Sequence, residues 1–131
     1  MHVKVDIKKA PANYKCFKAG MVSSKLMHEL HRAAEEAHEH DRGGTLFHLS
    51  NIADKAKFLA DGAPSPGVAA VAKQIGKKAR SLTVVLEKNK DLRMTPEESS
   101  MAVAQVNALR DSQGKMLKKV AGTACGAPEK E

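Results

Sequence analysis

The sequence predicts an all-α protein: an antiparallel, up-down-up-down four-helix bundle with a short extended N-terminal segment. Aromatic residues make up only 3% of the chain, whereas β-sandwiches draw heavily on aromatic and β-branched side chains. Four segments repeat apolar residues at steps of three and four, which is the helical period. The connections between these segments are short, and short connections make successive long helices antiparallel neighbours. With 131 residues, the chain has room for one core.

Residues 1–22 are expected to form the extended segment. Residues 2–8 alternate between polar and apolar side chains, the pattern of a half-buried strand, with apolar members Val3, Val5 and Ile7. Pro11 is expected to end the strand, and an irregular connection carrying Tyr14, Cys16 and Phe17 to follow. Because a lone strand edge readily recruits another strand, residues 2–8 could join two copies into a homo-oligomer. The alternative is that this segment lies along a groove of its own bundle.

The bundle is expected over residues 23–121, and its first two helices are marked by their ends. A serine N-cap starts the first helix near residue 24, and Gly43-Gly44 ends it after residue 41. Its apolar stripe is Leu26, Leu30, Ala33 and Ala37. The second helix is expected to run from Thr45 to Gly62. Its apolar residues are Leu46, Leu49, Ile52, Ala53, Ala56, Leu59 and Ala60.

Capping sequences that contain proline start the last two helices. Ser65-Pro66 begins the third, and Thr95-Pro96-Glu97-Glu98 forms a capping box at the start of the fourth. The stripe of the third helix is Val68, Ala72, Ile75, Ala79, Leu82 and Leu86. The stripe of the fourth is Ala102, Val106, Leu109, Gln113, Met116 and Val120. It stays in phase past Gly114, so one helix weakened at Gly114 is expected, followed by a flexible tail over residues 122–131.

The net charge of +7 is unevenly distributed, since residues 45–94 alone carry nine basic and four acidic side chains. On the third helix, one row of basic residues falls within about 80° opposite the apolar stripe. Its members are Lys73, Lys77, Arg80 and Lys88. Such a row attracts acidic protein surfaces or nucleic-acid backbones. The leading hypothesis is therefore a non-enzymatic bundle that binds an acidic macromolecular partner; the alternative is a solvated face that only aids solubility.

A second hypothesis rests on the first helix, where spacings of three, four and three place four potential metal ligands within about 80°. These are His28, His31, Glu35 and His38. Imidazole and carboxylate groups so placed can share a divalent metal, the one cofactor that the sequence indicates. A solvated face is the competing interpretation. A third, remote hypothesis is histidine phosphotransfer through His48, although Ser50-Asn51 replace the glycine and lysine expected after such a histidine.

Enzyme activity is not expected, because the chain has no Gly-x-Gly-x-x-Gly, Walker or Gly-x-Ser-x-Gly motif. No apolar run reaches the roughly 18 residues that span a bilayer. The start of the chain does not look like a signal peptide, so a cytoplasmic location is expected, with a mature secreted chain as the alternative. Cys16 and Cys125 are accordingly expected to be free thiols; in an oxidising compartment they would instead join the two ends of the chain.

Overall fold

The structure is a computed structural model that describes residues 6–115 and residue 117, and this part of the chain contains four α-helices and no strand. The helices are α1 (Ala12–His38), α2 (Arg42–Asp61), α3 (Pro66–Leu86) and α4 (Pro96–Leu109). The all-helical prediction is therefore confirmed. Among the described residues, no helix is both long enough and apolar enough to cross a membrane.

The first helix is longer than predicted, because α1 begins at Ala12 and not near residue 24. Pro11 occupies the N-cap with extended backbone angles, so the proline that was expected to end a strand precedes a helix instead. Ala19 and Ser23 are buried and continue the stripe of α1 backwards from Leu26 at helical spacing. Residues 12–22 are thus helical, and the predicted irregular connection is wrong.

The predicted N-terminal strand is only partly covered by the described residues, since Val3 and Val5 lie outside them. Its described end, Ile7–Lys9, is a short 3-10 helix, and the Asp6 side chain accepts a hydrogen bond from the backbone of Lys8 at 3.1 Å. Ile7 lies directly against Gly62 at the end of α2, where a larger residue would collide with it. At Ile7, therefore, the chain packs on its own bundle; association through residues 2–8 stays a prediction.

The turn from α1 to α2 is tighter than predicted. Gly43-Gly44, expected to end the first helix, lie in the first turn of α2. Asp41 caps this turn by accepting a hydrogen bond from the Gly44 amide at 2.9 Å. His40 has a φ of 64°, the left-handed conformation usually taken by glycine, and so reverses the chain.

The core is built from the predicted stripes. α1 packs against α2 and α4, and α2 packs against α3, whereas α3 and α4 touch each other at only a few points. All six stripe residues of α3 are buried. Small residues bring α2 and α3 close together: a Cβ atom placed on Gly76 would lie 3.4 Å from that of Ala56.

The end of the fourth helix departs from regular α geometry. A π-helical turn, Arg110–Gly114, follows α4, and Lys115 continues as helix. A π turn contains one extra residue, so it shifts the phase of the stripe. Gly114 and Leu117 are buried where Gln113 and Met116 were expected, and Met116 and Val120 lie outside the described residues.

Cys16 is disulfide-bonded, and no described cysteine is free. The expectation of a free thiol is therefore wrong for Cys16. The only other cysteine of the sequence, Cys125, lies outside the described residues.

Candidate partner-binding surface on the third helix

The basic residues predicted to bind a partner lie on the solvent side of α3. Lys73, Lys77 and Arg80 are exposed, and the buried stripe occupies the opposite side of the helix. Lys88 is also exposed, but it lies in the turn after the last residue of α3, Leu86. The structure thus keeps three of the four predicted residues on the helix.

All charged residues of α3 are basic: the helix contains four basic residues and no acidic one. The fourth is Lys78, which is exposed as well. In residues 6–115 and 117, no carboxylate lies within 4.0 Å of these four cationic groups. We call Lys73, Lys77, Lys78 and Arg80 the basic face.

One edge of the basic face borders α2. Lys73 and Arg80 line a shallow cavity of about 280 Å³ between the two helices, together with Lys57 and Asp61. Asp61 accepts a hydrogen bond from Lys57 at 2.9 Å, and this bond is the main reason why its pKa is lowered. The charges of Lys57, Lys8 and Lys73 lower it further against the opposing effect of burial. The carboxylate nearest to this edge is therefore ionised and already paired.

The other edge of the basic face borders a groove that the sequence did not predict. This groove, between α3 and α4, has a volume of about 450 Å³. Lys77 and Lys78 lie on its α3 side, while the buried side chains of Leu82, Val106 and Leu109 form its apolar floor. We call it the α3–α4 groove. It exists because these helices barely pack against each other, a property that the stripes alone do not reveal.

The predicted metal ligands do not converge. His28, His31 and His38 are exposed on α1, and His31 Nε2 lies 3.2 Å from Glu35 Oε2. Glu35 also accepts a hydrogen bond from Arg32 Nη1 at 2.7 Å. Within the described residues, no group of three or more His, Cys, Asp or Glu side chains could hold a metal ion.

His48, the residue of the phosphotransfer hypothesis, is held in a contact between helices. Its Nδ1 lies 2.7 Å from Glu29 Oε1, and Asn51 donates to the same oxygen at 3.1 Å. Burial raises the pKa of Glu29, but the hydrogen bonds with His48 and Asn51, together with nearby positive charge, lower it overall. This contact therefore joins α1 to α2 through an ionised carboxylate.

Comparison with known proteins adds no relative: no protein-family model matches the chain, and no curated protein or solved structure matches it significantly.

Proposed function

We propose that this protein is a non-enzymatic helical bundle that binds an acidic macromolecular partner through the basic face of α3. The observation that carries the proposal is the set of four exposed cationic side chains that make no ion pair within 4.0 Å in the described chain. Two cations elsewhere in the fold, by contrast, are paired: Arg42 with Glu98, and Lys57 with Asp61. Unpaired like charges on one face repel each other, and an acidic partner would relieve that repulsion.

An acidic protein fits this face better than a nucleic acid does. Single-stranded nucleic acids usually stack their bases on aromatic side chains, and α3 contains no aromatic residue. Instead, an apolar groove adjoins Lys77 and Lys78. Protein partners use such a combination of charge and apolar surface.

We also infer that helices that follow one another in the chain run antiparallel. Only residues 39–41 connect α1 to α2, and only residues 62–65 connect α2 to α3. Connections this short favour helices that alternate in direction. The four side chains of the basic face are exposed in this arrangement and are therefore accessible to a partner.

The proposal also favours an oxidising compartment over the cytoplasm. Disulfides persist in such compartments and are rare in the cytosol, where thiols are kept reduced. The disulfide at Cys16 supports this location.

Charge reversal tests the proposed function. The variant Lys73→Glu, Lys77→Glu, Arg80→Glu is expected to lose binding to fluorescein-labelled poly-glutamate, measured by anisotropy at low salt. The matched control is Lys9→Glu, Lys25→Glu, Lys90→Glu, which changes three exposed lysines elsewhere by the same charge and is expected to retain most of the binding. Equal losses in the two variants would mean that net charge alone attracts the probe, and the proposal would be wrong.

A further inference from the structure

We infer that the α3–α4 groove binds an amphipathic acidic helix of a partner protein, whose apolar side chains enter the groove while its carboxylates pair with Lys77 and Lys78. This inference rests on the proposed function and specifies the class of partner. Helix-in-groove recognition combines apolar anchors at i, i+3 or i+4 and i+7 with polar contacts at the rim.

The floor of the groove provides the apolar half of this recognition. Leu82 comes from α3, and Val106 and Leu109 come from α4. A volume of about 450 Å³ falls within the range of roughly 300–1,000 Å³ typical of ligand sites in proteins. The groove therefore has room for apolar side chains of a partner.

The rim of the groove provides the charged half. Lys77 and Lys78 lie on the α3 side, whereas the opposite side, formed by α4 and the π turn after it, carries the neutral residues Gln105, Ala108 and Ser112. None of the residues that line the groove is acidic. The electrostatic preference is therefore for carboxylates, and a basic helix would be repelled.

The same side of α3 continues its apolar character beyond the groove. Val85 follows Lys78 and Ser81 at helical spacing, which places it on the groove side of α3 one turn further on. It is 44% exposed, although it is a large apolar residue. Lys88 follows Val85 by three residues in the adjoining turn. A helix laid along this side of α3 would meet the cationic Lys78, the apolar Val85 and the cationic Lys88 in turn.

A nucleic acid does not account for these features. A phosphate backbone would pair with the lysines, but it would leave the leucine and valine side chains of the groove floor without an apolar partner. Nucleic-acid binding therefore becomes one of the outcomes that the test must exclude.

The test uses two synthetic helical peptides of equal charge. One carries leucine at i, i+3, i+4 and i+7 with glutamates on its other face, and the second replaces each leucine by alanine. Burial of a single leucine corresponds to about tenfold or more in affinity. We expect the leucine peptide to bind wild-type protein at least tenfold more tightly than the alanine peptide.

Filling the groove separates this inference from the proposed function. Ala108→Phe places a large side chain in the groove, whereas Ala104→Phe, on the same helix, changes an exposed alanine that does not line it. We expect Ala108→Phe to lower the affinity for the leucine peptide at least tenfold and to leave poly-glutamate binding unchanged. Ala104→Phe is expected to leave the affinity for both probes unchanged. Gln105→Trp is a second filling variant for the case in which Ala108→Phe fails to fold by circular dichroism.

Any of four outcomes would overturn the inference. The first is equal binding of the two peptides, and the second is undiminished binding of the leucine peptide to both filling variants. Either result would show that charge alone attracts an acidic partner, and the proposed function would stand. A 20-base-pair DNA duplex that binds more tightly than the leucine peptide and is insensitive to groove filling would make nucleic acid the ligand. Self-association in sedimentation that Ala108→Phe abolishes would make a second copy the occupant. If wild-type protein binds neither the leucine peptide nor poly-glutamate, the proposed function is wrong, and the inference that rests on it is wrong as well.

Discussion

Arg42, in the first turn of α2, holds Glu98, in the first turn of α4, through two parallel hydrogen bonds: Nη1 to Oε2 at 2.9 Å and Nη2 to Oε1 at 2.7 Å. The same guanidinium group donates to the carbonyl oxygens of Leu86 at 2.9 Å and Asp91 at 2.6 Å. The Arg42 side chain is only 4% exposed. One side chain thus fastens the end of α3, the loop after it and the start of α4 to the first turn of α2.

Neutralising Glu98 is expected to destabilise the protein. Glu98→Gln would leave the buried Arg42 without its countercharge, and breaking a buried pair in this way costs about 3–5 kcal/mol. Because the Glu98 side chain is 20% exposed, we expect a loss near the lower end of that range, measured as the free energy of unfolding in urea. The matched control is Glu97→Gln in the same turn, where the residue is exposed and makes no ion pair within the described chain. Similar losses in the two variants would contradict the assigned role of Glu98.

The pair of Arg42 and Glu98 also predicts how the stability of the fold depends on pH. The pKa of Glu98 is lowered to about 2, chiefly by its hydrogen bonds with Arg42 and with the Thr95 backbone. The Glu98 carboxylate therefore binds a proton more weakly in the folded state than in the unfolded state. The stabilisation that ionised Glu98 provides is fully present above its ordinary pKa near 4.5 and is lost as the pH falls towards 2.

Urea unfolding of wild type and of Glu98→Gln between pH 2 and pH 7 measures this contribution. The difference in unfolding free energy between them is expected to shrink steadily below pH 4.5. A difference that stays constant over this range would show that the charge of Glu98 does not stabilise the fold.

Gly76 and Gly62 are expected to respond in opposite ways to alanine. A Cβ atom on Gly76 would lie 3.0 Å from Arg80 Nη1, the end of an exposed and flexible side chain, and 3.4 Å from the Ala56 Cβ atom. Arg80 can move away, so Gly76→Ala is expected to gain the roughly 0.5–1 kcal/mol of helix preference of alanine over glycine. Gly62→Ala would collide with Ile7 and is expected to lower the melting temperature. Thermal melts of both variants measure the contrast, and a fall in both would mean that the contact of α2 with α3 cannot accept a methyl group.

The disulfide at Cys16 is expected to stabilise the fold. Cys125 is the only other cysteine of the sequence, and a bridge to it would close a loop of more than one hundred residues. For a loop of this length, the chain-entropy model gives a stabilisation of roughly 4–5 kcal/mol, whereas disulfides in proteins typically contribute about 2–4 kcal/mol. We expect thiol titration of the denatured, unreduced protein to detect no free thiol. Reduction is expected to lower the free energy of unfolding of wild type and to leave that of the double variant Cys16→Ser, Cys125→Ser unchanged. Two titratable thiols in freshly isolated protein would contradict the bridge.

The sequence was sufficient to predict the interior of the bundle where the apolar residues are large and regularly spaced. Every stripe residue of α3 is buried, from Val68 to Leu86, and the capping box of Thr95 and Glu98 is present as predicted. The first turns of α1 could not be recognised, because its early buried positions hold the small residues Ala19 and Ser23 while the large Phe17 is 63% exposed. Burial by close approach of small side chains produces no strong periodic signal.

The candidate site was predictable only in its charge. The spacing of Lys73, Lys77 and Arg80 fixes their common face on any regular helix, so the sequence was enough to identify them. The groove beside them depends on how far α3 lies from α4, and that distance is set by contacts of both helices with other parts of the bundle. The convergence of Arg42 with Glu98 likewise joins residues far apart in sequence, and no local pattern indicates it.

The π turn at Arg110–Gly114 is the place where this end of the helix holds one residue more than regular α geometry would. Deleting one residue from the turn would allow it to rewind as α-helix while Leu117, now buried, keeps its place in the core. Straightening the turn at unchanged chain length would instead rotate Leu117 out of the core by about 100°. A single-residue deletion within Arg110–Gly114 is therefore expected to disturb the interior less than a single-residue insertion there, which would carry Leu117 out of register.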